Sequence, residues 1–323
     1  MKHKKLWKMG ISIITVAALI GTVVCYTLAS TIYASDTVYV DEAYISSGDE
    51  SLWSKTGNGT HSWQTDEQGN GFIQFDYENP SGEAPTYYEF GHKFADKKVS
   101  SGTVVCEADM QFSNGDEGIY VKARDSGVNS IAARLRNIGG VLYYFSNGQR
   151  YSLYEPDSNN RSKVETGKWY HIQFVIHLDS EQDKSYSILV RDEEQIIGEA
   201  TRVALSSDVS YVNLFSVGAS STMRVDNFKV SVPTIGAITV MGNPYPKRGQ
   251  SCQYASYLTN REGKLIERAD TAWSVEPSAS GVTVSENGRL SVSASAQPAS
   301  IFVVARSKEN TNYMMKYSVD IEK

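Results

Sequence analysis

Short segments separated by turn residues run through most of this chain, and this pattern constrains its fold more than any other feature. Turn clusters occur at 57–59, 69–71 and 147–148, for example. Between the turns lie segments such as FIQFDY and SYSILVRD, which have the composition and alternation of β-strands. No convincing long helix follows the first 34 residues. The sequence therefore predicts an all-β chain.

The first 34 residues form a separate targeting element. Four lysines, at positions 2, 4, 5 and 8, precede an uncharged apolar run from Ile11 to Ala29, and small residues follow up to Ala34. This layout predicts either a secretory signal peptide cleaved after Ala34 or an uncleaved membrane anchor. Both alternatives predict a protein that is secreted or held on the cell surface, with membrane contact only through this N-terminal signal or anchor helix.

The charge of the remaining chain argues against several classes of partner. Without the four lysines of the leader, the 31 basic residues become 27, against 37 acidic ones, for a net charge of −10. Such an acidic chain is not expected to bind nucleic acid or an anionic membrane. Only Cys106 and Cys252 remain outside the leader. They predict buried thiols rather than a disulfide or a zinc site, and an exported protein without disulfides favours a bacterial source.

The pattern of strands divides the exported part into two regions. Residues 35–232 contain too many strand segments for an immunoglobulin-sized unit and predict a larger two-sheet jelly-roll sandwich. The pattern changes near Pro233, and residues 233–323 predict a smaller immunoglobulin-like β-sandwich. Within this second region, Asn287-Gly288 lies between two alternating runs and predicts a β-hairpin.

Two segments of the larger region resemble a known superfamily. Thr166–Glu194, which begins TGKWYHIQFVIH, and Ser221–Val232, STMRVDNFKVSV, resemble the concanavalin A-like lectin and glucanase superfamily, especially its laminin-G-like and carbohydrate-binding branches. The smaller region resembles bacterial immunoglobulin-like repeats at 273–275, 281–284 and 287–292. The first resemblance implies a jelly roll that binds or processes glycans, and the second implies a spacer or adhesion module. Both rest on framework residues, which indicate a fold rather than a ligand.

The search for a catalytic centre finds two incomplete patterns. Glycoside hydrolases of this superfamily carry three carboxylates on one strand, whereas Glu107 and Asp109 share a strand face on which Gln111 comes next. Alginate-lyase-type relatives carry a Q-I-H strand, from which the spacing of Gln173 and His177 differs. We therefore predict a solvated polar strand face, with neighbouring Trp169 in the core, and a protein that is not an enzyme.

A basic patch on the larger region is the candidate binding surface. The segments GIYVKAR, IAARLR and VLYYFS are joined by turns, so we expect neighbouring antiparallel strands. Their polar faces would place cations and tyrosines together in an otherwise acidic chain, with Tyr143 or Tyr144 facing outward. Arginine pairs with carboxylates and aromatic rings stack on sugar faces, so this pattern favours a glycan, including uronate-containing or sulfated ones. The predicted ligand-binding residues are Tyr120, Lys122, Arg124, Arg134, Arg136 and Tyr144.

These patterns predict an exported, non-catalytic carbohydrate-binding or adhesion protein whose partner is a polysaccharide or other glycan. The alternatives are a glycanase or polysaccharide lyase on the same fold, and a structural surface protein that binds another protein. In the alternative interpretation of the patch, its cations only decorate a solvated sheet. No cofactor is predicted apart from a structural calcium at Asp226, which could equally cap a turn.

Overall fold

The computed structural model describes residues 37–42, 53–57, 59–78, 87–94, 99–113, 115–122, 131–178, 184–193, 195–205, 209–217 and 220–322. Within these ranges the chain forms strands and turns and no helix, which confirms the predicted all-β class. The same ranges hold no helix that is long and apolar enough to cross a membrane. The predicted leader, 1–34, and Arg124 lie outside the described residues.

The described part of the larger region contains fifteen strands. They are β1 Thr37–Glu42, β2 Trp53–Gly57, β3 Thr60–Thr65, β4 Gly71–Tyr77, β5 Tyr87–Lys93, β6 Thr103–Gln111, β7 Asp116–Lys122, β8 Ile131–Ile138, β9 Val141–Ser146, β10 Gln149–Ser152, β11 Trp169–His177, β12 Ser185–Asp192, β13 Gln195–Ala204, β14 Tyr211–Val217 and β15 Ser221–Val232.

Nine strands come from the smaller region. They are β16 Ile235–Met241, β17 Ser251–Gln253, β18 Ala255–Asn260, β19 Leu265–Arg268, β20 Thr271–Glu276, β21 Val282–Val284, β22 Arg289–Val292, β23 Ser300–Ser307 and β24 Met314–Asp320.

The first fifteen strands form two antiparallel sheets that make a sandwich. Sheet A has the order β13-β12-β11-β6-β15-β4-β3, with β1 also paired to β15, and sheet B has the order β10-β9-β8-β7-β14-β5-β2. Alternate side chains of both sheets meet in one core, in which Phe174 and Cys106 of sheet A join Ile119 and Leu135 of sheet B. The opposite side chains of sheet B therefore face away from this core, and this outer face carries the predicted patch.

The last nine strands form three smaller sheets around a second core. Their orders are β16-β18-β19, β17-β22-β21 and β20-β23-β24. Buried residues such as Tyr254, Leu290 and Val303 fill this core. The predicted Asn287-Gly288 hairpin is confirmed, because β21 and β22 pair antiparallel on either side of it and Gly288 has a φ of 82°, which favours glycine.

The smaller region packs on the outer face of sheet A, so the expectation of a solvated strand face there is wrong. Gln173 is 2% exposed, and its Nε2 donates to the carbonyl oxygens of Leu265 and Ile266, at 3.1 and 2.8 Å. The Nε2 of His177 lies 2.9 Å from the carboxylate of Glu267. These polar side chains can be buried because β19 supplies the hydrogen-bond partners that water would otherwise provide.

Apolar and charged contacts also join the smaller region to sheet A. Leu189 of β12 packs with Ala255 and Tyr257 of β18. At its margin, the guanidinium of Arg268 pairs with Glu199 and, at 3.0 Å, with Asp157. The described residues of 35–323 accordingly form one compact unit.

Candidate functional site

The outer face of sheet B brings the predicted basic residues into adjacent rows. Tyr120 of β7 lies opposite Arg134 of β8, and Gly118 lies opposite Arg136. Side chains of directly opposed residues project on the same side of an antiparallel sheet. The expectation that these consecutive strands are antiparallel neighbours is confirmed by the order β9-β8-β7.

Arg134 occupies the centre of this face and is surrounded by aromatic rings. Its Cζ lies 4.9 Å from the ring centroid of Phe145, 5.5 Å from that of Phe215 and 5.6 Å from that of Tyr120. Tyr120 and Phe215 in turn contact each other, with their centroids 5.3 Å apart. Each ring presents a π-system to the guanidinium, so the cation is held by aromatic contacts from three different strands.

The hydrogen-bonding groups of Arg134 are left without protein acceptors. Its Nε is buried and has no hydrogen-bond partner, and no described carboxylate pairs with its guanidinium. Burial lowers the pKa of Arg134, and the neighbouring charge of Arg136 lowers it further. An arginine keeps its proton nevertheless, because its ordinary pKa is so high. The face therefore holds a protonated guanidinium that makes no ion pair or hydrogen bond with the described residues, and the carboxylates of Glu89 and Asp116 attract it only from a greater distance.

The other two described cations of the predicted patch are already paired. The Nζ of Lys122 lies 3.5 Å from the carboxylate of Glu89, and the Lys122 side chain is 2% exposed. Arg136 makes a bidentate pair with Asp116 through its Nε and a terminal nitrogen. These pairs cancel much of the positive charge, which leaves Arg134 as the main candidate for an anionic group.

A cavity of about 400 Å³ opens beside Arg134. Its lining includes Arg134, Phe145 and the turn at Asn147 and Gly148. Ala204, at the end of β13, closes another side. A volume of this size falls in the range of small-molecule sites, which combine apolar walls with a few polar groups.

The placements of three predicted ligand residues differ from the sequence expectation. Tyr120 and Lys122 lie on the predicted face, but each is only 2% exposed. Tyr120 contacts Arg134, whereas Lys122 lies over the ring of Tyr120. Tyr144 lies opposite Leu135, and it packs against the core between the sheets. Its assignment to the Arg134 face is wrong, because the two-residue turn after Ile138 places Tyr143 opposite Arg136 instead.

Sequence reasoning missed three aromatic or basic residues of this face and left a fourth open. Phe145 and Phe215 were not singled out with Arg134, and Arg150 of β10 was not named at all, whereas Tyr143 was offered as the alternative to Tyr144. The Asn147-Gly148 turn was a usable signal for Arg150, because a two-residue turn fixes hairpin register and so places Arg150 opposite Phe145. Phe215 gave no such signal, since β14 comes from a distant part of the sequence.

The incomplete carboxylate strand lies on sheet A and forms a charged triad. The Nδ1 of His171 lies 2.7 Å from Asp109 and its Nε2 lies 3.5 Å from Glu107. Burial opposes the imidazolium, but the hydrogen bond to Asp109 and the nearby carboxylate of Glu107 outweigh it and raise the pKa of His171. Asn227 also donates to Asp109, at 2.6 Å. With both ring nitrogens facing carboxylates, the geometry suits a structural ion network.

Two other expectations for sheet A can be compared with the structure. Trp169 is 37% exposed, so its assignment to the core is wrong; it shares the outer face with His171, two residues further along β11. Asp226 lies opposite Asp109, and its Oδ1 accepts a hydrogen bond of 2.7 Å from the backbone N–H of Asn227. No group of three or more His, Cys, Asp or Glu side chains in the described ranges is placed to hold a metal ion.

Comparisons with known proteins find distant structural likenesses. No protein-family model and no curated protein matches the sequence. An endo-β-1,4-glucuronan lyase from the fungus Trichoderma reesei is similar at 12% identity and a TM-score of 0.41, over 59% of this chain and 94% of that one.

Two further solved structures are similar over the same share of the chain. The cellulose-induced protein Cip1 matches at 16% identity and a TM-score of 0.44, over 61% of this chain and 99% of its own. The metal-free carbohydrate recognition domain of Emp46p matches at 7% identity and a TM-score of 0.39, over 61% and 97%. Such distant likenesses assign neither a family nor an activity to this chain.

Proposed function

We propose that this protein is an exported, non-catalytic carbohydrate-binding protein that takes an acidic glycan on the outer face of sheet B. The observation that carries the proposal is Arg134, a largely buried guanidinium that lies over three rings and has no ion-pair partner or hydrogen-bond acceptor among the described residues. A buried polar group without a partner is costly to the folded state. A ligand that supplies a carboxylate or sulfate would remove this cost.

The surroundings of Arg134 favour a sugar acid over other anions. The rings of Phe145 and Tyr120 lower the local polarity, which strengthens a charge-assisted hydrogen bond to the guanidinium. The C–H-rich face of a sugar ring can contact such aromatic surfaces while its acidic group reaches the guanidinium. Nucleic acid is disfavoured by the net charge of −10 that remains once the leader is removed. Export follows from the basic and apolar leader at 1–34 and is part of the proposal.

Affinity electrophoresis tests this function. We expect gels that contain polygalacturonate, alginate or a sulfated glycosaminoglycan to retard the wild-type protein, and gels that contain neutral xylan or β-glucan to leave its mobility unchanged. Arg134→Ala should not be retarded, and Arg134→Lys should be retarded less than wild type, because an ammonium lacks the planar set of hydrogen-bond donors of a guanidinium. Arg289→Ala, at an exposed arginine of the smaller region, serves as the matched control.

The folding of each variant is checked by circular dichroism and thermal unfolding. Equal retardation of wild type and Arg134→Ala, with both folded, would overturn the proposed site. A wild-type protein that none of the acidic glycans retards would overturn acidic-glycan binding itself.

A further inference from the structure

Arg150 is a second arginine on the outer face of sheet B with a stacked guanidinium. It belongs to the edge strand β10 and is exposed. Its Cζ lies 4.8 Å from the ring centroid of Tyr143. No described acidic side chain forms an ion pair with it. Arg150, near the edge of the sheet, and Arg134, at its centre, thus share one arrangement, in which a cation is held on an aromatic ring.

The register places the two arginines in one row across three strands. Arg150 lies directly opposite Phe145 on β9. Arg136 of β8 lies opposite Tyr143 of β9. Two residues away along each strand, Arg134 therefore lies opposite Phe145, and its guanidinium contacts the Phe145 ring. The row thus runs from Arg134 through Phe145 to Arg150, whose guanidinium leans toward Tyr143. The backbones of the two arginines are two strand spacings apart, about 10 Å.

Charge separates these two arginines from the rest of the face. Arg136 and Lys122 each have a carboxylate partner, whereas Arg134 and Arg150 have none among the described residues. A small acid with one negative group can satisfy one guanidinium but cannot reach both. A chain of acidic sugars can present separate negative groups to the two guanidinium groups while one of its rings lies over Phe145.

We propose that the ligand is an acidic polysaccharide that lies across β8, β9 and β10 and is recognised at two points, with one acidic group on Arg134 and another on Arg150. This inference rests on the proposed function of the Arg134 face and adds polymer recognition to it. Arg134 supplies the buried contact that any acidic sugar makes. Arg150 contributes only when the ligand is long enough to reach β10.

Titration with galacturonate saccharides of one to four sugars tests this inference. The wild-type affinity should rise at least tenfold from the monosaccharide to the tetrasaccharide. Arg150→Ala should lower tetrasaccharide affinity about five- to tenfold and leave monosaccharide affinity, measured by ligand-observed NMR, within twofold. Arg134→Ala should weaken binding at every length, and Arg289→Ala should change neither affinity.

The outcomes distinguish this inference from the function on which it rests. If Arg150→Ala weakens monosaccharide and tetrasaccharide equally, or weakens neither, two-point recognition is wrong while acidic-glycan binding stands. The same holds if wild-type affinity does not change with length. If the wild-type protein binds no acidic saccharide of any length, both proposals are wrong.

Discussion

The buried carboxylate of Glu267 should be a major source of stability, because it joins the smaller region to sheet A. Its side chain is 5% exposed, and it accepts hydrogen bonds from His177 Nε2 at 2.9 Å and Ser187 Oγ at 3.0 Å. Glu267→Ala leaves both groups without this acceptor. Each orphaned buried group costs about 1–3 kcal/mol, so we expect the free energy of unfolding to fall by roughly 2–6 kcal/mol.

Urea unfolding followed by circular dichroism measures this loss, and two further variants calibrate it. Glu267→Gln keeps the size of the side chain and one oxygen acceptor, so its cost should be intermediate. Glu262→Ala is the matched control, because the Glu262 side chain is 73% exposed and lies 3.8 Å from Lys264; it should cost less than about 0.5 kcal/mol. The reasoning is refuted if Glu267→Ala is as stable as wild type, or if the control costs as much.

Three further predictions concern sheet B. Burial raises the pKa of Glu117 to about 7, so the native state binds more protons than the unfolded state between roughly pH 4.5 and 7, and stability falls as pH rises through this window. Glu117→Gln should reduce this loss of unfolding free energy by about 2–3 kcal/mol between pH 5 and 8, as measured by denaturant titration at each pH. An equal loss in wild type and variant would contradict the prediction. A Cβ at Gly118 would lie 2.2 Å from the carbonyl oxygen of Leu135, so Gly118→Ala should lower the melting temperature and weaken glycan binding, and unchanged melting would count against the β7–β8 geometry. Arg136→Ala should keep acidic-glycan affinity, measured by calorimetry, within about threefold of wild type, because Asp116 already pairs with that arginine. A loss of affinity as large as that of Arg134→Ala would contradict this prediction.

Local patterns were sufficient to predict the β7–β8–β9 hairpins and which side of β7 and β8 faces outward. Alternation along β7 and β8 correctly placed Tyr120, Arg134 and Arg136 on one side, because the period of a strand is two residues. The Gly139-Gly140 turn also determines the register of β9, with both residues at positive φ, and it contained the information that favours Tyr143 over Tyr144. These features depend only on neighbouring residues in the sequence.

Long-range packing could not be predicted in the same way. The insertion of β14 between β7 and β5 brings Phe215 against Arg134, and no local pattern specifies that order. Similarly, Gln173 and His177 have the alternation of a solvated face, but β19 covers them and supplies their hydrogen-bond partners. Burial of a polar side chain depends on what packs over it, and that partner lies about 90 residues away in sequence.

The most direct test of the central claim pairs Arg134 with the acidic group of its ligand in a double-mutant cycle. Calorimetry would measure the affinities of a tetragalacturonate and of its carboxyl-reduced, neutral counterpart for wild type and for Arg134→Met. If Arg134 binds a ligand carboxylate, the two changes should be non-additive, with a coupling free energy of about 1.5–3 kcal/mol. Additive effects, with coupling near zero in folded proteins, would contradict the account.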